Sequence, residues 1–236
     1  MKCRAHCLVI LLLSIFMSVS LPTQAYETSN IQLLYSNQFD GDAAVYDTQD
    51  GHKATLTLEH FRTWDYGDLF AFADIMYGTK LNGDTSEVYS EISPRLSLSK
   101  ISGKTLQTAW ASDFFIASQV NLGDGYDAWL LGLGVDLQIP NFNYLSLNLY
   151  QKRDNFKNQL TQITASYQTQ SFGAFHLEGF VDLTEQDMHT HNQLLYKITN
   201  NKNPIYAGVE LINYRYEYQG SNSSTDALQI MAKYQF

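Results

Sequence analysis

The sequence predicts an all-β protein, a twelve-stranded antiparallel transmembrane β-barrel, and three observations lead to that prediction. Twelve segments of about ten residues alternate apolar with polar side chains, and an even number of such strands is typical of single-chain outer-membrane barrels. No segment after the first 25 residues is apolar over the roughly 20 residues that a membrane helix requires. The chain also ends on an alternating strand whose last residue is aromatic, Phe236.

The N-terminal segment has the pattern of a secretory signal peptide. Lys2 and Arg4 precede an apolar run from Leu8 to Met17, and a small residue closes the segment. We therefore expect residues 1–25 to be cleaved and residues 26–236 to form the barrel.

Charge and cysteine content narrow the function classes. The full chain has 15 Lys and Arg against 24 Asp and Glu, a net charge of −9, and loss of the signal peptide would remove two of the basic residues. An acidic mature chain argues against nucleic acid or an anionic lipid surface as the partner. Cys3 and Cys7 both lie in the signal segment, so the sequence predicts neither disulfides nor thiol chemistry.

The candidate strands follow one another along the mature chain with turn residues between them. The opening hairpin shows the plan: Leu56 and Leu58 alternate with polar residues before the turn at Asp65–Asp68, and Leu69 to Ile75 alternate after it. The predicted strands are 31–39, 52–64, 69–77, 86–98, 105–119, 127–138, 144–152, 159–168, 173–184, 191–198, 205–218 and 226–236.

Connection lengths predict the orientation of the barrel. The short connections 65–68, 99–104, 139–143, 169–172 and 199–204 all fall on one end, and the longer segments 40–51 and 78–85 fall on the other. Short periplasmic turns and longer outer loops are typical of such barrels, so we expect the short connections to face the periplasm.

Alternation within the strands separates the residues expected to face lipid from those expected to face the lumen. The predicted lipid-facing residues are Val88, Ile92, Leu96, Trp129, Leu131, Leu133, Val135, Leu137, Leu145, Leu147, Leu149, Leu177, Gly179, Val181, Val209 and Leu211. The predicted ionisable residues of the lumen are Glu59, Asp74, Glu87, Glu91, Asp113, Asp136, Glu178, Asp182 and Glu210, with Arg95, Lys152 and Lys233.

Aromatic residues support a membrane barrel over a secreted sandwich. The chain contains 16 Tyr, 13 Phe and 3 Trp, enough to form an aromatic girdle at each end of the strands. In the last strand Leu228, Ile230 and Tyr234 share one face with Phe236. A C-terminal aromatic strand is what the outer-membrane assembly machinery recognises, so that machinery is a predicted partner.

Several long segments carry a family resemblance. TLTLEHFRTWDYGDLFAFADIMYG, YSEISPRLSLSKISG, GLGVDLQIPNFNYLSLNL, HLEGFVD and YAGVE occur in that order. From about Asn30 to Phe236 the chain resembles the Tsx/OmpK family of outer-membrane nucleoside-specific channels. The resemblance implies a monomeric barrel in the outer membrane of a Gram-negative bacterium, with a narrow pore that passes nucleosides along aromatic and ionisable sites.

The candidate binding residues combine aromatic rings with carboxylates on one strand face. Phe70 and Phe72 share a face with Asp74, and Phe180 lies between Glu178 and Asp182. Rings can stack on a base while carboxylates accept hydrogen bonds from ribose hydroxyls and exocyclic amines. The full predicted substrate-binding set is Phe70, Phe72, Asp74, Glu59, Tyr89, Glu91, Arg95, Glu178, Phe180, Asp182 and Glu210.

Other interpretations of these residues stay open at the level of sequence. Phe70 and Phe72 would also suit simple filling of a narrow barrel, and Glu91 and Arg95 would suit ionic bracing of the wall with each other or with neighbouring strands. His189 and His191 are expected in a solvated loop, where a metal ion could bind adventitiously.

Two further function classes compete with a channel. An outer-membrane enzyme is one, but the chain lacks G-x-S-x-G and H-E-x-x-H motifs and has no cysteine in its mature part, so no catalytic site or cofactor is predicted. A structural or adhesion barrel with a plugged lumen is the other, and the many predicted lumen carboxylates disfavour it because a plug would have to satisfy each one.

Overall fold

The described part of the chain folds into one closed antiparallel barrel of twelve strands, as the sequence predicts. The computed structural model describes residues 26–39, 51–80, 83–156, 158–218 and 221–236. The expected signal peptide and its cleavage site therefore lie outside the described residues. The strands are β1 Glu27–Phe39, β2 Gly51–Trp64, β3 Gly67–Lys80, β4 Gly83–Ser97, β5 Ala111–Gly123, β6 Tyr126–Leu137, β7 Phe142–Asp154, β8 Gln159–Thr169, β9 Phe175–Leu183, β10 Asp187–Lys197, β11 Ile205–Tyr218 and β12 Ser221–Gln235.

Every strand pairs with its neighbours along the chain, and the barrel closes between the first and last strands. Asn30 lies opposite Gln235, and Tyr35 lies opposite Ile230. A barrel closed in this way leaves no strand edge exposed to hydrocarbon, where an unpaired backbone group would be costly.

The outer surface of the barrel is an apolar band. Leu131, Leu133 and Ile230 each expose 63% of their surface, and they alternate along their strands with residues that point inward. Large apolar side chains this exposed are stable only against lipid. Aromatic residues lie outward near both ends of the strands, among them Tyr35, Tyr77 and Trp129 at one end and Phe175, Tyr196, Tyr234 and Phe236 at the other.

The connection between β4 and β5 departs from the prediction. A short helix, α1 (Leu98–Ser102), begins after Ser97, whose hydroxyl accepts from the backbone N–H of Lys100, and ends at Gly103 with φ 67°. Because the helix and an irregular segment follow β4, the strand expected at 105–119 lies at Ala111–Gly123 instead. None of the helical segments in the described ranges has the length and apolar character that a membrane crossing needs.

Connection lengths do not separate the two ends as expected. β3 and β4 remain paired out to Lys80 and Gly83, so the prediction of a long outer loop at 78–85 is wrong. The longest connection within the described ranges, residues 98–110, lies at the end of the barrel where β1 begins and β12 ends, among the connections expected to be short. The loop expected at 40–51 falls almost entirely outside the described residues.

His189 and His191 are not in a loop. β10 begins at Asp187, four residues earlier than predicted, so both histidines are strand residues. In register they lie opposite Asp182 and Phe180 of β9, which are lumen residues. Both imidazoles therefore face the lumen.

Candidate solute pathway in the lumen

Two buried ionic clusters cross-link the inner wall near the end of the barrel where β1 begins and β12 ends. In the first, the arginine brace, Arg95 on β4 donates to both carboxylate oxygens of Asp68 at 2.8 and 2.7 Å and to Asp136 at 2.8 Å. The guanidinium also donates to Ser146 at 2.6 Å and lies 4.0 Å from the ring centre of Phe115. One side chain thus joins β3, β4, β6 and β7. These contacts of Arg95 agree with the alternative given in the sequence analysis, that Arg95 braces the wall by ionic pairing with neighbouring strands.

The second cluster, the lysine brace, is centred on Lys233 of β12. Its ammonium binds Glu178 on β9 and lies 3.6 Å from a carboxylate oxygen of Glu59 on β2. Glu178 also accepts from Gln168 at 2.8 Å, and Glu59 accepts from Asn30 at 2.6 Å. The two contacts of Lys233 connect strands that are not adjacent in the barrel, so they cross part of the lumen.

A different kind of surface lies on the strands β3 and β4. The β3–β4 wall consists of Phe70, Phe72, Asp74, Tyr89 and Glu91. The ring centres of Phe70 and Phe72 are 6.0 Å apart, as are those of Phe72 and Tyr89. Asp74 accepts from Thr57 at 2.5 Å, and Glu91 accepts from the Tyr89 hydroxyl at 2.6 Å. The wall therefore presents a strip of rings bordered by two carboxylates.

A second aromatic surface lies on β9, β10 and β11. The β9–β11 wall consists of Phe180, Asp182, His189, His191 and Tyr214. Phe180 stacks on His191 with ring centres 5.0 Å apart and planes at 14°. His189 meets Tyr214 edge-on at 5.8 Å, and Asp182 accepts from Thr164 at 2.5 Å.

The two walls face each other across the lumen. β3 and β9 stand six places apart in the ring of twelve strands, so they are diametrically opposed. Asp74 nevertheless interacts electrostatically with His191 and with Glu210 of β11, and Glu91 interacts with Asp182. A buried hydrogen bond of 2.9 Å from Gln193 on β10 to Gln32 on β1 likewise bridges non-adjacent strands. Charged groups of the two walls are therefore close enough to influence each other across the lumen.

Burial distinguishes the walls from the polar residues around them. Gln32, Gln193, Gln229, Glu210 and Lys233 are each 9% exposed or less. By contrast, every member of the β3–β4 wall and of the β9–β11 wall is half-buried and keeps part of its surface open to the lumen. Within the described part of the lumen, the aromatic walls thus keep surface that is exposed to solvent, while much of the polar lining is taken up in packing.

The predicted site residues divide between these groups. Phe70, Phe72, Asp74, Tyr89 and Glu91 lie together on one wall, and Phe180 and Asp182 lie together on the other. Glu59, Glu178 and Arg95 belong to the braces. Glu210 is buried and accepts from Gln193 at 2.8 Å and from Gln229 at 3.1 Å. A role in solute contact stays a prediction for all of them.

Sequence reasoning missed several lumen residues. The predicted site lacks His189 and His191 because the sequence predicts both in a loop, and it lacks Tyr214 although that residue lies within the predicted strand 205–218. Alternation with Thr190 was the available signal, since it places both histidines on the face of Gln193 and Leu195. Lys53 and Asp68 also face inward, opposite Gly78 and Arg95. Ile212 is an apolar exception, fully buried next to Glu210 on the inward face of β11.

The comparisons with known proteins agree with this geometry. A family model described as nucleoside-specific channel-forming protein, Tsx, matches residues 26–219. The chain belongs to the Tsx family. Membership places it in the outer membrane of a Gram-negative bacterium as a channel for small solutes and indicates a channel rather than an enzyme. The comparison with curated proteins gives no match.

Solved structures extend the likeness in fold. A KdgM porin in complex with disordered oligogalacturonate is 11% identical, covers 89% of this Tsx-family chain and 99% of its own, and has a TM-score of 0.52. A second KdgM porin structure is also 11% identical, with 89% and 98% covered and a TM-score of 0.50. At this identity the likeness concerns the barrel architecture alone.

Proposed function

We propose that this Tsx-family barrel lets nucleosides diffuse across the outer membrane through weak binding between its two aromatic walls. The observation that carries the proposal is the opposed pair of half-buried aromatic surfaces, each bordered by carboxylates. The description of the matching family points to the same solute class.

The chemistry of a nucleoside fits this arrangement. Its base is flat and can stack on Phe72 or Phe180, while Asp74, Glu91 and Asp182 can accept hydrogen bonds from ribose hydroxyls and exocyclic amines. Stacking contributes about 1–3 kcal/mol per base. Binding of that strength concentrates the solute in the pore and still releases it, as conduction requires.

The testing experiment is a flux measurement on reconstituted barrels. Phe72→Ala combined with Asp74→Asn should lower nucleoside flux at low concentration and weaken competition between nucleosides, because the double variant removes a ring and a carboxylate from one wall. Ion conductance should be unchanged or slightly higher, since the lumen is wider. Liposome swelling with nucleosides, and with sugars and amino acids of similar size, measures the preference.

Ile75→Ala is the matched control, because Ile75 lies on the same strand but points outward. It should leave solute preference unchanged. If the double variant loses only thermal stability, with saturation and preference intact, Phe70 and Phe72 fill the barrel and the solute binds elsewhere, with Glu178, Phe180 and Asp182 the next positions to test.

Charge in the lumen should set a second preference. The predicted lumen has nine carboxylates against three basic residues. The structure adds one negative residue, Asp68, and one positive residue, Lys53. We expect neutral nucleosides to pass, their monophosphates to be repelled, and small cations to be favoured over anions. Reversal potentials in salt gradients and paired flux assays test this expectation. Equal flux of a nucleoside and its monophosphate would contradict it.

The proposal also covers the assembly of the barrel in the membrane, its oligomeric state and its need for a cofactor. The outward residues of β12 end on Phe236, which is 54% exposed, and we propose that the outer-membrane assembly machinery recognises this strand. We further propose that the barrel acts as a monomer and needs no cofactor.

A further inference from the structure

Two imidazoles in the lumen are positioned to share one ligand. His189 and His191 alternate with Thr190 on β10, and their Nε2 atoms lie 3.0 Å apart with the ring planes at 81°. A separation of 3.0 Å between two nitrogens corresponds to an angle of about 90° at a metal ion that makes two bonds of about 2.0–2.1 Å to them. The two Nε2 atoms are therefore spaced like two neighbouring ligands in a square-planar or tetragonal metal site.

Neighbouring side chains contact both rings. Phe180 stacks on His191 and meets His189 edge-on at 5.7 Å, and Tyr214 lies against the other side of His189. A carboxylate oxygen of Glu210 lies 3.4 Å from Nδ1 of His191. A carboxylate that accepts from one imidazole nitrogen fixes the tautomer that leaves the other nitrogen able to bind a metal.

We propose that His189 and His191 form a two-histidine site for a divalent transition-metal ion, with Cu²⁺ preferred. Imidazole ligands at right angles suit the tetragonal geometry of Cu²⁺ better than the tetrahedral geometry of Zn²⁺, and Cu²⁺ also has the highest affinity in the divalent series. No group of three or more His, Cys, Asp or Glu side chains placed to hold a metal occurs in the described ranges. Water would fill the remaining coordination positions of the ion.

Metal binding requires a proton to move but none to be lost. The hydrogen bond between the two Nε2 atoms needs one of them to carry a proton. With Glu210 accepting the Nδ1 proton of His191, that proton belongs to His189, and metal binding shifts His189 to its Nδ1–H tautomer. The two rings would then turn so that both Nε2 lone pairs point at the ion.

The surrounding charges are mixed, with a surplus of carboxylates. Asp182 lies opposite His189 in register, and Asp74 and Glu210 interact with His191. Lys53 and Lys152 interact with His189 and oppose a cation there. The ion would sit on the wall where solutes stack, so we expect it to narrow the pathway and reduce conductance.

The test uses the refolded barrel without a histidine tag, titrated with Cu²⁺ and with Zn²⁺. One Cu²⁺ should bind per barrel, with two equatorial nitrogen ligands in its electron paramagnetic resonance spectrum, and Zn²⁺ should bind more weakly. His189→Gln and His191→Gln should each abolish the two-nitrogen signal. Glu210→Gln should weaken Cu²⁺ binding by about 10- to 100-fold, since it removes the group that orients His191. Planar-bilayer conductance should fall on addition of Cu²⁺ and return with a chelator.

His176→Gln is the matched control, because His176 faces the lumen on β9 next to Glu178 but has no histidine beside it. It should leave Cu²⁺ binding unchanged. Heat-modifiable gel mobility checks that each variant is folded, and the spectrum of the unaltered barrel tests the site without any variant. A single-nitrogen spectrum, or equal loss of binding in His176→Gln, would overturn the proposal.

Discussion

Replacing Lys233 with methionine is expected to destabilise the barrel by about 3–5 kcal/mol. Lys233 is 6% exposed and binds Glu178 while lying 3.6 Å from Glu59. Methionine keeps the length of the side chain but removes the charge, and two largely buried carboxylates then lack their cation. The midpoint of denaturant unfolding in detergent or lipid, together with heat-modifiable mobility, measures the loss.

The double variant Lys233→Met with Glu178→Gln is the control for this explanation. Removal of both members of a buried ion pair costs much less than removal of one, because Glu178 is then uncharged and only the more exposed Glu59 is left without its cation. We therefore expect the double variant to recover a large part of the lost stability. Additive losses would mean that the lysine brace contributes through packing and not through charge.

Leu133→Arg is expected to impair assembly, at a cost of about 2–4 kcal/mol for an arginine near the bilayer midplane. Leu133 lies outward on β6 with 63% of its surface exposed, so the new charge would enter hydrocarbon. Val135→Arg, two residues along the same face, should behave in the same way. The folded, heat-modifiable fraction recovered from membranes is the measurement.

Gly134→Ser is the matched control on the opposite face of the same strand. A Cβ at Gly134 would lie 2.3 Å from Oδ1 of Asn148, a side-chain atom that can turn away, whereas at Gly132 it would lie 1.8 Å from a backbone oxygen. Gly134→Ser should therefore be tolerated much better than Leu133→Arg. Equal loss of folded barrel from both variants would show that the assignment of inside and outside is wrong.

Much of the fold could be predicted because alternation is a local property of the chain. In an antiparallel barrel each side chain faces either lipid or lumen, so Leu131 and Leu133 could be assigned outward, and Asp136 inward, from their own strand alone. The same alternation predicts, without any knowledge of strand pairing, that Phe70, Phe72 and Asp74 lie on one wall.

The remaining features depend on contacts between distant parts of the chain. The polar histidines at the start of β10 carry no apolar signal, so the sequence predicts a strand only from residue 191 and a loop before it. The pairing of Lys233 with Glu178 joins residues 55 positions apart, and only closure of the barrel brings β12 and β9 close enough for it to form. The short connections also depend on contacts between strands. Strand ends such as Lys80 and Gly83 pair with each other although they carry no apolar pattern.

The arginine and lysine braces separate rigidity from recognition in this lumen. The arginine brace holds its part of the wall through residues that the aromatic walls do not share, and much of the lysine brace does the same. Exchange of a ring at Phe72 or Phe180 therefore leaves these ionic cross-links in place. Mutations at the aromatic walls can therefore change the solute preference at little cost to the stability of the barrel. Related channels with different solute preferences should differ mostly at these rings, while the residues around Arg95 and Lys233 should vary slowly.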